Sequence, residues 1–247
     1  MGQHDGKRVV ITGGTSGIGL ASAKLLLDQG AHVLITGRTQ ATLDAVRKEL
    51  GKNAVVVESD AASLADIDLL ADRVKSEFGT IDLLFVNAGV TRFAPFESMT
   101  ESVYDEVLTI NAKGPYFTVQ KLAPLMAKGS AVVVTTSVVN EMGYPMISAY
   151  SASKAALRSM VRSLARELLP RGIRVNAVSP GPIETGILDK TLPREAVSQT
   201  KQAMSEENPM KRFGLPEEVA KAVAFLAFQA TYTTGAELVV DGGGSQL

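Results

Sequence analysis

A chain of 247 residues with 45% hydrophobic content is long enough to bury a large core, and its length fits one α/β domain better than two small ones. Its 25 Lys and Arg nearly balance its 26 Asp and Glu without a long basic run, which excludes the charge signature of a nucleic-acid binder and favours small-molecule partners. The chain lacks cysteine and has only two histidines, His4 and His32, so we predict no disulfide framework and no metal site. The polar start of the chain and the lack of an apolar run of membrane-spanning length predict no membrane partner, and we expect a soluble cytoplasmic protein.

Short β-branched apolar runs alternate with longer amphipathic segments, which is typical of a parallel sheet covered by helices on both faces. The predicted strands cover residues 8–12, 32–36, 54–58, 82–86, 131–136, 174–178 and 237–240. The predicted helices cover residues 17–29, 40–50, 64–78, 101–127, 149–169 and 216–228. Because crossovers between parallel strands are right-handed, this order favours a single-domain, Rossmann-like, doubly wound sheet of seven parallel strands over residues 1–247.

A glycine-rich run follows the first predicted strand and reads Thr12-Gly13-Gly14-Thr15-Ser16-Gly17-Ile18-Gly19. Glycines at such a junction allow a tight turn and the close approach of a pyrophosphate to N–H groups at the helix N-terminus. The glycine spacing is Gly-x3-Gly-x-Gly and not the commoner Gly-x-Gly-x-x-Gly. The interpretation as a nucleotide-binding loop therefore depends on the position of the run between the first predicted strand and the first predicted helix. We predict a dinucleotide-binding loop here.

The turn after the second predicted strand reads Thr36-Gly37-Arg38-Thr39, with no carboxylate to bind a free ribose 2′-hydroxyl. An arginine at this turn accommodates a 2′-phosphate in bidentate geometry, with Thr39 and Ser16 as added hydroxyl donors. The turn therefore favours NADP(H) over NAD(H). The alternative is that Arg38 is only a solvated loop residue.

A proline interrupts the hydrogen-bonding pattern of the predicted helix 101–127. Pro115 has no N–H to donate to the carbonyl of Asn111, four residues earlier. We therefore predict a kink at Gly114-Pro115 and a water bound to the freed carbonyl of Asn111. The alternative is a helix that ends near Lys113 and restarts.

The run Tyr150-Ser151-Ala152-Ser153-Lys154 places a phenol and an ammonium four residues apart, on one face of a predicted helix. A phenol with a pKa of about 10 is a poor acid–base catalyst at neutral pH. Lowering that pKa to about 7 takes roughly 4 kcal/mol, about what one charge about 4 Å away supplies at an effective dielectric of about 20. We predict that Lys154 lowers the pKa of Tyr150, the alternative being a chance pairing on a helix surface.

The stretch 179–215 fits the alternation of strands and helices poorly and carries prolines at 180, 182, 193 and 209. A connection this long in a compact domain is usually a lid or a binding segment. We predict a substrate-binding loop or lid over residues 181–215 that closes on ligand. The alternative is that this segment is a rigid connection that does not move on ligand binding.

With these residues, the chain resembles the short-chain dehydrogenase/reductase family, of the main single-domain type, over essentially its whole length. The matching motifs are the loop 12–19, Asp60 after the third strand, Asn87-Ala88-Gly89 after the fourth, Asn111, Ser137, Tyr150 with Lys154, Pro180-Gly181 and Asp241-Gly242-Gly243.

The resemblance implies a catalytic set of four residues. Tyr150 would be the general acid for a carbonyl or the general base for an alcohol, and Ser137 would hydrogen-bond the same oxygen. Lys154 would bind the nicotinamide ribose as well as lowering the pKa of the phenol. Asn111 would hold a water that links the lysine to solvent.

The resemblance also implies a set of cofactor contacts and an assembly. Asp60 and Ala61 would flank the adenine, with Asp60 open to a second role as N-cap of the helix that follows. The implied cofactor-binding residues are Gly13, Thr15, Ser16, Gly17, Ile18, Gly19, Arg38, Thr39, Asp60, Ala61, Asn87, Ala88, Gly89, Tyr150, Lys154, Pro180, Gly181, Ile183 and Thr185. A homotetramer is implied, with the helices of Asn111 and Tyr150 across one interface and the C-terminal strand region across another.

The substrate is expected to be a small, mainly hydrophobic ketone, aldehyde or secondary alcohol, because the residues expected to line the substrate pocket around Ser137 and Tyr150 are mostly apolar. These residues, each of which is equally readable as ordinary core, are Val90, Phe93, Val138, Val139, Met142, Tyr144, Met146, Ile187 and Leu188. A carbonyl reductase or alcohol dehydrogenase is the leading interpretation. The rivals are a 3-oxoacyl-thioester reductase, for which Arg92 and Lys190 are the local basic candidates, and a cofactor-binding sensor without turnover.

Overall fold

The computed structural model describes residues 2–191 and 193–247, with the backbone alone for residues 190 and 191. The described strands are β1 (Arg8–Thr12), β2 (His32–Gly37), β3 (Ala54–Glu58), β4 (Ile81–Val86), β5 (Met126–Thr135), β6 (Arg174–Pro180) and β7 (Glu237–Val240). They form one parallel sheet in the order β3-β2-β1-β4-β5-β6-β7. The predicted doubly wound sheet of seven strands is confirmed.

The strand order reverses between β1 and β4, which pair with each other although β2 and β3 separate them in the chain. In this register Thr12 lies beside Val86, so the loops that leave both strands emerge side by side. Open α/β sheets bind their ligands in the crevice beyond such a reversal, at the carboxyl ends of the strands. The glycine loop and the Asn87 loop therefore flank one crevice.

Helices cover both faces of the sheet. They are α1 (Gly17–Asp28), α2 (Gln40–Leu50), α3 (Leu64–Phe78), α4 (Glu101–Leu108), α5 (Gly114–Leu122), α6 (Ser148–Leu168), α7 (Ile187–Thr191), α8 (Arg194–Glu207) and α9 (Pro216–Ala224). Side chains alternate between the two faces of a strand. Val9 and Ile11 therefore pack with α1 and α9, whereas Val10 packs with α3, α5 and α6. No helix of the described chain is long and apolar enough to cross a bilayer.

The predicted helix 101–127 is wrong in two respects. A π-helical turn, Thr109–Lys113, lies between α4 and α5, and β5 already begins at Met126. Lys113 and Gly114 keep right-handed helical torsion angles, so the chain does not stop and restart there. Pro115 follows this π turn and has no N–H to donate to the carbonyl of Asn111. The irregularity is a widened turn just before the proline.

The stretch predicted as a lid contains two helices, α7 and α8, that the sequence pattern did not indicate. Leu188, Val197 and Phe213 form a small buried cluster there, separate from the two main cores. Val197 is the buried residue of α8, so this helix lacks the apolar stripe by which helices are recognised. Closure of 181–215 on ligand stays a prediction.

Candidate active site

The glycine loop packs tightly against the neighbouring loop of the sheet. Gly13 adopts a φ of +65°, and a Cβ there would lie 2.8 Å from the Cα of Ala88. The amide of Asn87 donates to the hydroxyl of Thr12 at 3.0 Å. This packing leaves no room for a side chain at Gly13 and explains why the turn requires glycine at this position.

The first turn of α1 suits a phosphate. Ser16 precedes this turn without a side-chain hydrogen bond to it, and the turn carries no acidic residue. Its N–H groups and the positive end of the helix dipole therefore face the cavity without a competing anion. Gly13, Ser16, Gly17 and Ile18 line the cavity at this point, so the loop fits the pyrophosphate of a dinucleotide.

The turn at the end of β2 has an arginine at position 38 and no room for a carboxylate side chain at position 37. Arg38 lines the cavity, is exposed, and makes no hydrogen bond or ion pair to any described residue. A Cβ on Gly37 would lie 2.5 Å from Cγ2 of Thr15. A carboxylate at position 37 would therefore have to displace Thr15, whereas the guanidinium of Arg38 is free to meet a phosphate.

The side chain of Asn111 is fully buried in the π turn and hydrogen-bonds the backbone of Val90 in both directions. Its Oδ1 accepts from the amide of Val90, and its Nδ2 donates to the carbonyl of Val90, each at 2.8 Å. Nδ2 also donates to Oγ of Ser153 at 3.1 Å. The amide thus fixes the loop after β4 against α6. The water expected on the main-chain carbonyl of Asn111 stays a prediction.

The hydroxyl groups of Ser137 and Thr91 lie near that of Tyr150, and Tyr150 and Thr91 line one end of the cavity. Burial raises the pKa of Tyr150, and hydrogen bonds with Ser137 and Thr91 partly offset the rise. The net shift of the Tyr150 pKa is therefore upward, so the prediction that Lys154 lowers this pKa is wrong. The physical reason is that the cost of burying a phenolate outweighs the polar contacts.

Lys154 is buried, and its Nζ donates to the carbonyl of Thr135 at 2.8 Å. Nζ lies 5.6 Å from the centroid of the Tyr150 ring, so the two side chains share one face of α6 as predicted. Burial lowers the pKa of Lys154 from 10.5 to about 8. The lysine therefore changes charge close to neutral pH.

A cavity of about 420 Å³ runs from the glycine loop to Tyr150. The expected cofactor residues that line it are Gly13, Thr15, Ser16, Gly17, Ile18, Arg38, Asp60, Ala61, Asn87, Ala88, Gly89, Tyr150, Lys154 and Thr185. The expected residues outside its lining are Gly19, Thr39, Asn111, Ser137, Pro180, Gly181 and Ile183. Lining residues that the sequence analysis did not assign to the cofactor are Thr36, Gly37, Ser59, Val90, Thr91, Arg92, Ile110, Thr135 and Ile187.

Several of the expected residues outside the lining have structural contacts instead. The amide of Gly181 donates to the carbonyl of Val240, and Ile183 is buried. A Cβ on Gly19 would lie 2.3 Å from the carbonyl oxygen of Gly13, so this glycine permits close packing behind the loop.

Asp60 is not the N-cap of α3. Ser63 holds that position, and its hydroxyl accepts from the amide of Asp66 at 3.2 Å. Asp60 accepts instead from the amide of Ala62, which shapes the turn after β3. Asp60 and Ala61 line the cavity, as a contact to the adenine requires.

Of the residues expected to line the substrate pocket, some are buried in the core and others lie at the mouth of the cavity. Val138 and Leu188 are buried. Phe93, Tyr144, Met146 and Ile187 each expose roughly two fifths of their surface, and the amide of Ala94 donates to the carbonyl of Met146 at 2.9 Å. The loop after β4 and the loop before α6 therefore meet beside the cavity and present apolar side chains.

This sheet, with a glycine loop at its reversal point and a tyrosine and a lysine beside it, has the architecture of a Rossmann-type oxidoreductase. Residues 13–245 match the family model described as Enoyl-(Acyl carrier protein) reductase. The chain belongs to the short-chain dehydrogenase/reductase family, whose members bind nicotinamide cofactors and act on alcohol or carbonyl groups.

Named relatives align with nearly the whole chain. "Oxidoreductase asL5" of Sarocladium schorii is 41% identical over 245 residues, which cover 98% of this chain and 97% of that protein. The 3-oxoacyl-(acyl-carrier-protein) reductase FabG of Thermotoga maritima is 38% identical over 245 residues, covering 97% and 98% of the two chains. The crystal structure of a short-chain dehydrogenase/reductase described as a glucose/ribitol dehydrogenase, from Brucella melitensis, superposes with a TM-score of 0.93 at 31% identity, covering 100% and 99%.

Proposed function

We propose that this enzyme uses NADP(H) in preference to NAD(H) to interconvert small, mainly hydrophobic ketones or aldehydes and their alcohols. One observation carries the proposal: Tyr150 and Arg38 line the same cavity, and Ser137 lies close enough to Tyr150 to affect its pKa. The apolar side chains at the cavity mouth support a hydrophobic substrate.

Each catalytic side chain has a task that its surroundings support. Tyr150 carries its proton at neutral pH, since a phenol ordinarily has a pKa of about 10 and burial raises it further, so a proton is available for a carbonyl oxygen. Ser137 donates a second hydrogen bond to that oxygen and fixes its position. Lys154 keeps a positive charge near the phenol and stabilises the phenolate left by proton donation. A bound nicotinamide supplies or accepts the hydride.

The test is a panel of aryl ketones, diketones, sugars and acyl thioesters, followed by the loss of absorbance of NADPH and, separately, of NADH. We expect turnover of ketones with NADPH. Failure with every carbonyl would reject the proposal and favour a cofactor-binding sensor without turnover.

A 3-oxoacyl-thioester reductase is the second candidate, because the Thermotoga maritima relative carries that activity in its name. An acyl carrier would require basic residues at the cavity mouth. Arg92 lines the cavity, but its guanidinium forms a two-bond ion pair with Glu106. The side chain of Lys190 lies outside the described part of the chain. This candidate requires a much higher kcat/KM for acyl thioesters than for aryl ketones.

Arg38→Leu is expected to weaken NADPH binding by about 10- to 100-fold, the equivalent of roughly 1.5–3 kcal/mol for a lost charged hydrogen bond. NADH lacks the 2′-phosphate, so its dissociation constant should change little. Fluorescence titration of both cofactors checks this result. Arg73→Leu, an exposed arginine of α3 paired with Glu77 away from the cavity, is the matched control.

Reversal of the preference needs more than one substitution. Gly37→Asp with Arg38→Leu adds a carboxylate for the ribose, and Thr15→Ser removes the Cγ2 that would lie 2.5 Å from the new Cβ. We expect the triple variant to favour NADH more than the double variant does. An unchanged NADPH to NADH ratio in all variants would contradict the assignment of Arg38.

The rate of carbonyl reduction should fall above about pH 8. The pKa of Lys154 is lowered to about 8, so the ammonium is present below this pH and is lost as pH rises through it. We expect kcat/KM for NADPH, which reports groups of the free enzyme, to fall up to about tenfold for each unit above that point. Lys154→Met should remove this inflection along with most of the rate. A flat profile to about pH 10 would contradict the role of the ammonium.

We further propose a homotetramer. Tyr116 of α5 and Met160 and Leu164 of α6 line an apolar groove on the face that the family resemblance assigns to one interface. Light scattering of the purified protein measures the assembly.

A further inference from the structure

A buried carboxylate lies close to the catalytic serine, although it does not reach the cavity. Glu237 is the first residue of β7, and its side chain is 7% exposed. A carboxylate buried to this degree needs several polar partners to offset its desolvation. The partners of Glu237 come from the segment around Ser137 and from α6.

Glu237 holds the turn of Ser137 from both sides. Oγ1 of Thr136, the residue before Ser137, donates to Oε1 of Glu237 at 2.5 Å. Nδ2 of Asn140, three residues after Ser137, donates to Oε1 at 2.9 Å and to Oε2 at 3.2 Å. The turn between them is closed by the amide of Asn140, which donates to the carbonyl of Ser137 at 3.0 Å. The position of Ser137 is therefore fixed relative to β7.

The same carboxylate contacts the helix that carries Tyr150. Nε of Arg158 lies 3.3 Å from Oε2 of Glu237, and another guanidinium nitrogen donates to the carbonyl of Gly235 at 3.0 Å. Tyr150, Lys154 and Arg158 are spaced four residues apart along α6 and follow one helix face. The carboxylate of Glu237 thus contacts both the segment that contains Ser137 and the helix α6, which carries Tyr150.

We propose that Glu237 is a positioning residue, which sets the place of Ser137 relative to Tyr150. This inference builds on the proposed carbonyl chemistry, in which both hydroxyls bind one substrate oxygen. A displacement of about 1 Å at a reacting group can lower a rate by about 100-fold. Loss of the Glu237 contacts should therefore affect the chemical step more than cofactor binding.

Two substitutions separate the contacts of Glu237. Glu237→Gln keeps an oxygen that accepts from Thr136 and Asn140 but loses the charge that faces Arg158. Glu237→Leu loses both. We expect Glu237→Leu to lower kcat by about 10- to 100-fold with an unchanged dissociation constant for NADPH. Glu237→Gln should cause a smaller loss of kcat, because it keeps the contacts to Thr136 and Asn140 but loses the charge that faces Arg158. Equal losses of kcat in both variants would overturn the proposal.

A double-mutant cycle with Ser137→Ala tests whether Glu237 acts through the serine. If it does, Glu237→Leu should have little further effect on kcat once the Ser137 hydroxyl is absent. An undiminished effect in that background would overturn the proposal. If Glu237→Leu does not fold, Asn140→Ala gives a milder variant for the same cycle, because it removes only the hydrogen bonds from Asn140 to Glu237.

Asp82→Leu is the matched control for loss of a partly buried ion pair. Asp82 accepts from the backbone amide and from Nε of Arg8, each at 3.0 Å, near the amino end of β4 and away from the site. Asp82→Leu should lower the free energy of unfolding without the loss of kcat expected for Glu237→Leu. A similar loss of kcat in Asp82→Leu would assign the Glu237 effect to general destabilisation and overturn the proposal.

Hydrogen exchange gives a measurement that does not depend on turnover. The amides of Asn140 and Glu141, which close the turn after Ser137, should exchange faster in Glu237→Leu than in the wild type or in Asp82→Leu. Unchanged exchange at these amides would overturn the proposal. An inactive wild type would reject the proposed function, and the exchange result would then decide this inference alone.

Discussion

Tyr150→Phe is expected to lower kcat for carbonyl reduction by about 100- to 10,000-fold, the usual contribution of a general acid. The substitution removes one hydroxyl and keeps the ring, which lies 5.6 Å from Nζ of Lys154. The dissociation constant for NADPH should therefore change little. Steady-state kinetics with a ketone from the panel, combined with cofactor titration, measures the two quantities separately.

The control for this variant is a second tyrosine near the cavity mouth. Tyr144 is 45% exposed, and its hydroxyl contacts only the sulfur of Met142, at 3.8 Å, among the described residues. Tyr144→Phe should keep kcat within a factor of about two, because an exposed hydroxyl with one weak partner contributes little. If Tyr150→Phe retained a tenth of the wild-type rate, the proton would have to come from another group.

Arg174→Met is expected to lower the free energy of unfolding by about 3–5 kcal/mol, because it leaves buried acceptors without donors. Arg174 is 9% exposed, and its guanidinium donates to four backbone carbonyls in the π turn Phe225–Gln229 and in the loop that follows it. These carbonyls belong to Leu226, Ala227, Ala230 and Thr233, at 2.7, 2.6, 3.0 and 3.5 Å. Methionine fills a similar volume but donates no hydrogen bond. Urea unfolding followed by circular dichroism measures the loss.

Arg171→Met is the matched control for Arg174→Met. Arg171 is exposed and donates to one backbone carbonyl, that of Ala123. Its loss should change the free energy of unfolding by no more than about 1 kcal/mol. Arg174→Lys should fall between wild type and Arg174→Met, because an ammonium cannot reach all four carbonyls. A loss below about 1 kcal/mol for Arg174→Met would mean that other donors replace the guanidinium.

The parts of this protein that the sequence predicted correctly depend on short-range patterns. The glycine loop follows a strand directly, and Tyr150 and Lys154 lie one helical turn apart, so each is readable within about ten residues. The doubly wound sheet of seven parallel strands followed from the alternation of elements and from crossover handedness. The N-cap of α3 was assigned wrongly to Asp60, although Ser63 and Asp66 have the spacing of an N-cap and its partner before an apolar run.

The features that the sequence did not predict depend on burial and on contacts between distant residues. The pKa of Tyr150 rises because of burial, which the spacing to Lys154 does not reveal. Glu237 lies 97 residues from Asn140 along the chain, and no local pattern connects them. Pro115 signalled an irregularity in the predicted helix 101–127 but not its form, which is a π turn at Thr109–Lys113. In each case tertiary packing decides the outcome.

The π turn sets the angular phase between α4 and α5. A π turn accommodates one more residue than an α-helical turn, and each residue of an α-helix advances it by about 100°. Removing one residue from Thr109–Lys113 would restore ordinary α-helical periodicity but change the direction of the side chains within the turn, so that the Asn111 amide would no longer face Val90. The length of this segment is therefore as constrained as its chemistry, and single-residue insertions or deletions are far less tolerable here than in the loops around the cavity mouth.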